Sequence, residues 1–126
     1  MFEKFNCNPE EHRTNDCVVR AIATAHNTTW ECVYLWLTDL GLTKYRMPND
    51  KVVYEELLKQ MGWVKQKMPK HPNGKRYTVK ELISSIDSPM LITVAKHMTY
   101  ACNGTIYDTW DCRSKCVCNY WIKKTS

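Results

Sequence analysis

His97-Met98-Thr99-Tyr100-Ala101-Cys102-Asn103-Gly104-Thr105-Ile106-Tyr107-Asp108-Thr109-Trp110 reads as two strand-like runs joined by a two-residue turn. Asn-Gly between β-prone runs is a strong hairpin signal, because both central residues of a type I′ turn need positive φ. Such a turn fixes the register. Cys102 faces Thr105, Tyr100 faces Tyr107, Thr99 faces Asp108 and His97 faces Trp110. Opposite residues share a sheet face and neighbours along a strand alternate, so His97, Thr99, Asp108 and Trp110 point the same way. Asp108 then sits diagonally beside His97, roughly 7 Å away between backbones and within side-chain reach. Asp111 projects to the opposite face.

Outward from the hairpin, Met90 to Val94 and Lys115 to Ile122 are also β-prone, and Pro89 closes a helical region that precedes them. That region contains a short helix opened by Thr78 with Glu81 three residues on, the capping-box spacing. Residues 65–77, with Lys65, Lys67, Lys70, His71, Lys75 and Arg76, two prolines and an Asn-Gly pair, read as a basic surface loop. Further upstream a helix begins at Asn49 or Asp50, carries Val53, Tyr54, Leu57, Leu58 and Met61, and stops at Gly62. Another starts with a Thr28–Glu31 capping box. It presents Trp30, Val33, Tyr34 and Leu37 before ending near Gly41, and Cys32, Trp36 and Leu40 extend its apolar surface, which predicts a well-buried helix. Residues 1–14 read as an irregular arm. Helices first and strands last indicate an α+β fold, with N-terminal helices packed on one side of a C-terminal antiparallel meander. At 126 residues the chain has material for one core, hence a single domain over 1–126.

Asn15-Asp16-Cys17-Val18-Val19-Arg20-Ala21-Ile22-Ala23 sets a cysteine on the first turn of a first helix. Val18, Ala21, Ile22 and Ala25 recur at helical spacing and pin it to the core, with Asn15 or Asp16 as N-cap. The unpaired N–H groups and the positive dipole end at a helix start favour thiolate over thiol. One cysteine, one histidine and one carboxylate, distant in sequence, suggest a nucleophile with its base and orienting group: Cys17, His97 and Asp108. A buried structural thiol and a solvent-facing His–Asp pair would use the same residue types. His12, His26 and His71 are weaker base candidates, and Trp110 is placed to shield the His97–Asp108 bond or line a substrate cleft.

The chain resembles the papain-like cysteine peptidase superfamily, in which a nucleophilic Cys opens a helix and a later sheet carries His and then Asp or Asn. It is most similar there to bacteriocin-processing-type peptidases, through Asp16-Cys17, His97 and Asp108. Asn15 to Ala23 taken with His97-Met98, Asn103-Gly104 and Asp108-Thr109-Trp110-Asp111 is also similar to small bacteriophage proteins of that fold. The resemblance implies a papain-like fold and a thiol hydrolase that attacks an amide or acyl bond. Its substrate would be a host protein or peptide in the host cytoplasm, and no cofactor is required. Family members place a glutamine six residues before the nucleophile as an oxyanion donor, whereas this chain has Glu11 there, and a carboxylate repels a developing oxyanion. Asn15 or His12 would then supply the second donor beside the Cys17 N–H.

Composition narrows the alternatives. No apolar run is long enough to span a bilayer, and the N-terminus lacks the profile of a secretion signal, so a cytoplasmic protein without membrane contact is expected. Seven cysteines at irregular spacing predict mostly free thiols. The net charge of +5 is moderate and makes nucleic acid a poor partner candidate. Three readings compete with the peptidase: an inactive papain-like binding protein or inhibitor of a host factor, an acyl transferase or deamidase on the same fold, and a zinc site. The last would use Cys112, Cys116 and Cys118 with Cys102 or Cys7, but Cys116 and Cys118 alternate on a predicted strand without the usual two-residue knuckles, so no metal is assigned.

Overall fold

The computed structural model describes residues 1–123. Among them are four helices and a six-stranded mixed sheet, an α+β arrangement. In chain order these are β1 (Phe2–Lys4), α1 (Cys17–Ala25), α2 (Trp30–Lys44), α3 (Lys51–Gln60), β2 (Trp63–Gln66), α4 (Val79–Ser85), β3 (Met90–Val94), β4 (His97–Cys102), β5 (Thr105–Asp108) and β6 (Asn119–Lys123). The strands lie in the order β1-β5-β4-β3-β6-β2.

At the centre is the hairpin. Asn103 and Gly104 take φ of 52° and 77°, and Cys102 pairs with Thr105, Ala101 with Ile106 and Tyr100 with Tyr107, the expected register. β5 stops at Asp108, two residues sooner than the apolar pattern suggests, because the chain bends away at Thr109 and Trp110. A second tight turn, Ala95-Lys96, joins β3 to β4 by pairing Val94 with His97, and Lys96 adopts a left-handed φ of 56°. β6 then adds to the far side of β3, so the sheet is not a simple meander.

Two strands correct the expected all-antiparallel C-terminal sheet. β1 lies in the supposedly irregular arm and pairs parallel with β5, matching Phe2 to Ile106 and Lys4 to Asp108. β2 occupies the start of the supposed basic loop and pairs antiparallel with β6 at the opposite edge. Its charged Lys65 is an edge-strand feature, and that side chain reaches Glu55 at 2.9 Å.

The helices also flank both faces rather than one. Val18, Val19 and Ile22 of α1, Val33 and Leu37 of α2, and Val53, Leu57 and Leu58 of α3 pack with Leu91, Met98 and Trp121. On the other face Val79, Leu82 and Ile83 of α4 pack with Met90, Ile92, Ala101, Ile106, Cys112 and Val117. The reason is visible in β3, whose Met90-Leu91-Ile92 is apolar at successive positions and buried on both sides, as strands covered on two faces are.

Local signals explain most boundaries. Thr78 and Glu81 form the reciprocal capping box, while the N–H groups of Val79 and Lys80 reach the carbonyls of Lys115 and Arg113. Asp50 caps α3, and Gly62 follows it at φ 91°. α2 departs from expectation three times. Its cap is Thr29, which accepts from Cys32 N–H, not Thr28. It continues through Gly41 to Lys44, because Gly41 is there for close approach: a Cβ would lie 2.5 Å from the Arg46 carbonyl, and Tyr45 in the left-handed region ends the helix instead. It is also only partly buried, with Val33, Leu37 and Gly41 inward while Leu35, Trp36 and Leu42 are exposed, since its apolar residues surround the axis rather than forming one stripe. No helix among the described residues is long and apolar enough to cross a membrane.

Candidate active site

Asp16 occupies the N-cap position of α1, yet its side chain makes no capping bond. It is buried, and it accepts instead from Arg20 Nε (2.7 Å), Trp30 Nε1 (3.0 Å) and Asn8 Nδ2 (3.1 Å). The first-turn N–H groups of α1 therefore stay uncapped by any side chain, and half-buried Cys17 sits among them. Val18, Val19, Ala21 and Ile22 are buried beneath, so the position of Cys17 is set by core packing.

His97 begins β4 with its side chain only 8% exposed. Its Nε2 donates to Asp108 Oδ2 at 2.6 Å, which leaves Nδ1 for the Cys17 thiol. Trp110 lies against the imidazole, with ring centroids 4.9 Å apart and the planes tilted by 48°. Asp108 is buried and also accepts from the Thr109 N–H (2.7 Å) and from Arg20 Nη1 (3.2 Å). Arg20 thus bridges Asp16 and Asp108, and a continuous polar chain runs from Trp30 through Asp16, Arg20, Asp108 and His97 to Cys17.

The electrostatics follow from these contacts. Burial pushes the Cys17 thiol up, but the hydrogen bonds from His97 and the Met98 backbone and the charges of His97 and Arg20 outweigh it and hold the thiol below its ordinary 9.0. Burial alone would lower His97, yet its bonds to Asp108 and Cys17 raise it to about 9. Burial opposes ionisation of Asp108 as well, and the bond from His97 overcomes this and keeps the carboxyl below its usual range. Both shifts favour the thiolate–imidazolium form of the pair over thiol and neutral imidazole.

Cys17 and His97 open on a cleft of about 580 Å³, whose wall includes Asn15, Tyr54 and Met98. Arg20 and Asn15 border both this cleft and a neighbouring groove that includes Trp110. Of the sequence-derived candidates, Cys17, His97, Asp108 and Asn15 come together, and Trp110 lines the neighbouring groove rather than the Cys17 cleft. His12 does not join them. It is exposed, bonded to Glu10 at 2.8 Å, and absent from the cleft wall, because the arm turns away at Glu11, whose φ is 52°. Glu11 is likewise exposed and off the wall. His26 accepts from Trp63 Nε1 at 2.8 Å, and His71 pairs with Glu81 at 2.7 Å.

The seven cysteines are all unpaired. Those of the zinc reading do not converge: Cys112 is buried, Cys116 is exposed, and Cys118 takes a bond from Arg76 at 3.4 Å. Among the described residues the ligand-type atoms that gather within 4.8 Å are those of His97, Asp108 and Cys112. Burial and the Asp108 charge push the Cys112 thiol up to about 11.

Sequence reasoning missed Arg20, Asn8 and Trp30. The Asp16–Arg20 spacing of four residues on a helix was a usable signal for the first. Nothing local foretells the other two, since both act on Asp16 across turns of irregular chain. Compared with family models, curated proteins and solved structures, the chain matches none.

Proposed function

We propose that the protein is a thiol hydrolase of papain-like type, acting on an amide or acyl bond of a protein or peptide through Cys17, His97 and Asp108. The observation that carries this reading is the bridged imidazole: one ring nitrogen is held by a buried carboxylate at 2.6 Å while the other meets a thiol at a helix start, at the mouth of a cleft. The Cys17 thiolate adds to the carbonyl carbon, and the Cys17 N–H with the Asn15 side chain receives the oxyanion. His97 then gives its proton to the leaving amine as the carbon–nitrogen bond breaks, which leaves an acyl thioester on Cys17. Water attacks that thioester, His97 takes its proton, and a carboxylic acid leaves as the thiolate–imidazolium pair is restored. An amine in place of water would make the same centre an acyl transferase. Glu11 lies off the cleft wall, which supports Asn15 rather than residue 11 as the side-chain donor. The resemblance to small bacteriophage proteins supports a substrate in a host cytoplasm.

p-Nitrophenyl acetate tests acyl transfer to the thiol without knowledge of the substrate. A stoichiometric nitrophenolate burst with an acetyl group on Cys17, lost in His97→Ala, is expected. Acetylation of Cys17 no faster than that of exposed Cys116 would overturn the proposal.

A further inference from the structure

Two helix starts meet at the cleft, those of α1 and α3, and their first residues are Cys17 and Lys51. Lys96 lines the same cleft from the tight β3–β4 turn, where its backbone takes a left-handed φ of 56°. The chain carries 13 Asp and Glu residues, yet none lines this cleft or the adjoining groove, where Arg13 adds another cation. Arg13, Lys51 and Lys96 make no ion pair among the described residues. The carboxylate closest in sequence, Asp50, is committed elsewhere: it accepts from Arg46 at 3.2 Å and from the Val52 N–H at 2.9 Å. Arg20 is already shared by Asp16 and Asp108.

We infer that Lys51 and Lys96 make the cleft selective for an acidic substrate, a peptide segment with Asp or Glu beside the bond that Cys17 attacks. This rests on the thiol-hydrolase reading and adds a substrate class to it. A carboxylate near the scissile bond meets two ammonium groups that no carboxylate among the described residues pairs with, whereas a basic side chain there meets like charge. Two such charges acting through partly solvated space correspond to a preference of about three- to tenfold, reduced by salt.

The test compares iodoacetate with neutral iodoacetamide at Cys17, each rate normalised to exposed Cys116 in the same molecule and read by mass spectrometry. It then repeats the comparison with peptidyl chloromethyl ketones carrying Asp, Ala or Lys next to the electrophile. The normalised iodoacetate-to-iodoacetamide ratio should exceed one, drop about three- to tenfold in Lys51→Gln/Lys96→Gln, and fall with added salt. The peptide probes should rank Asp over Ala over Lys in the wild type and level out in the double variant. A fast Cys17 whose ratio and ranking ignore both lysines overturns the acidic preference alone. A Cys17 no faster than Cys116 toward iodoacetamide overturns the thiol-hydrolase reading and the preference with it.

Discussion

Arg20 lies between two buried carboxylates, and its removal leaves both without their shared cation. Arg20→Met should therefore cost about 3–5 kcal/mol of stability, read from urea unfolding, because broken buried pairs leave uncompensated charge. Asp108→Asn keeps the shape of the site and removes the charge that His97 uses. The imidazole pKa, followed by NMR, should fall from about 9 toward its ordinary 6.5, and acylation of Cys17 should slow by about 100-fold. An unchanged imidazole titration would contradict the role given to Asp108. At this scale much of the candidate site was legible. Cys17 announced itself by its place at a helix start, and His97 and Asp108 by their hairpin register. Trp30 and Asn8 were not legible, because their partner Asp16 looked like a cap, and only the folded chain shows its side chain turned inward.

The β4–β5 hairpin is the element that turns register into chemistry. Gly104, at φ 77°, is where an L side chain is strained, and Gly104→Ala should cost about 1–2 kcal/mol. Because the same turn sets His97 against Asp108, that variant should also slow Cys17 labelling. Thr78→Ala removes the α4 capping box on the far face of the sheet and should cost about 0.5–2 kcal/mol by the same urea assay. Its Cys17 labelling should match wild type, so the pair separates general destabilisation from loss of registration. Elements with strong local signals were readable: the Asn-Gly turn, the Thr78 box and the Gly62 stop. β1 and β2 were not. β1 is three residues long and gains its partner from a segment about a hundred positions away, while β2 carries the Lys65 and Gln66 that an edge strand tolerates and a loop also uses.

For the whole molecule, the helices cover both sheet faces, and the cleft forms where α1, α3 and the β3–β4 turn meet. Sequence patterning separated the four helices from β3–β6 and missed β1 and β2, and the two-sided cover depended on reading successive apolar residues in β3 as burial on both faces. The His97–Asp108 bond ties global stability to pH. His97 is raised in the folded state, so its contribution is fully present below the unfolded value of 6.5 and is lost as pH rises through about 9. In Cys17→Ala the overlapping thiol titration is gone and with it the Cys17 share of the His97 shift, so the urea midpoint should decline as pH rises from 6.5 but level off below the wild-type value of about 9, and Cys17→Ala/His97→Gln should stay flat over that range.

The central claim is a thiolate–imidazolium pair, and the most direct test is site-resolved alkylation of all seven cysteines across pH in wild type and His97→Ala. Wild-type Cys17 should label fast well below its ordinary thiol pKa of 9.0, and that low-pH labelling should vanish in the variant. Slow labelling of Cys17, indifferent to His97, would contradict the account.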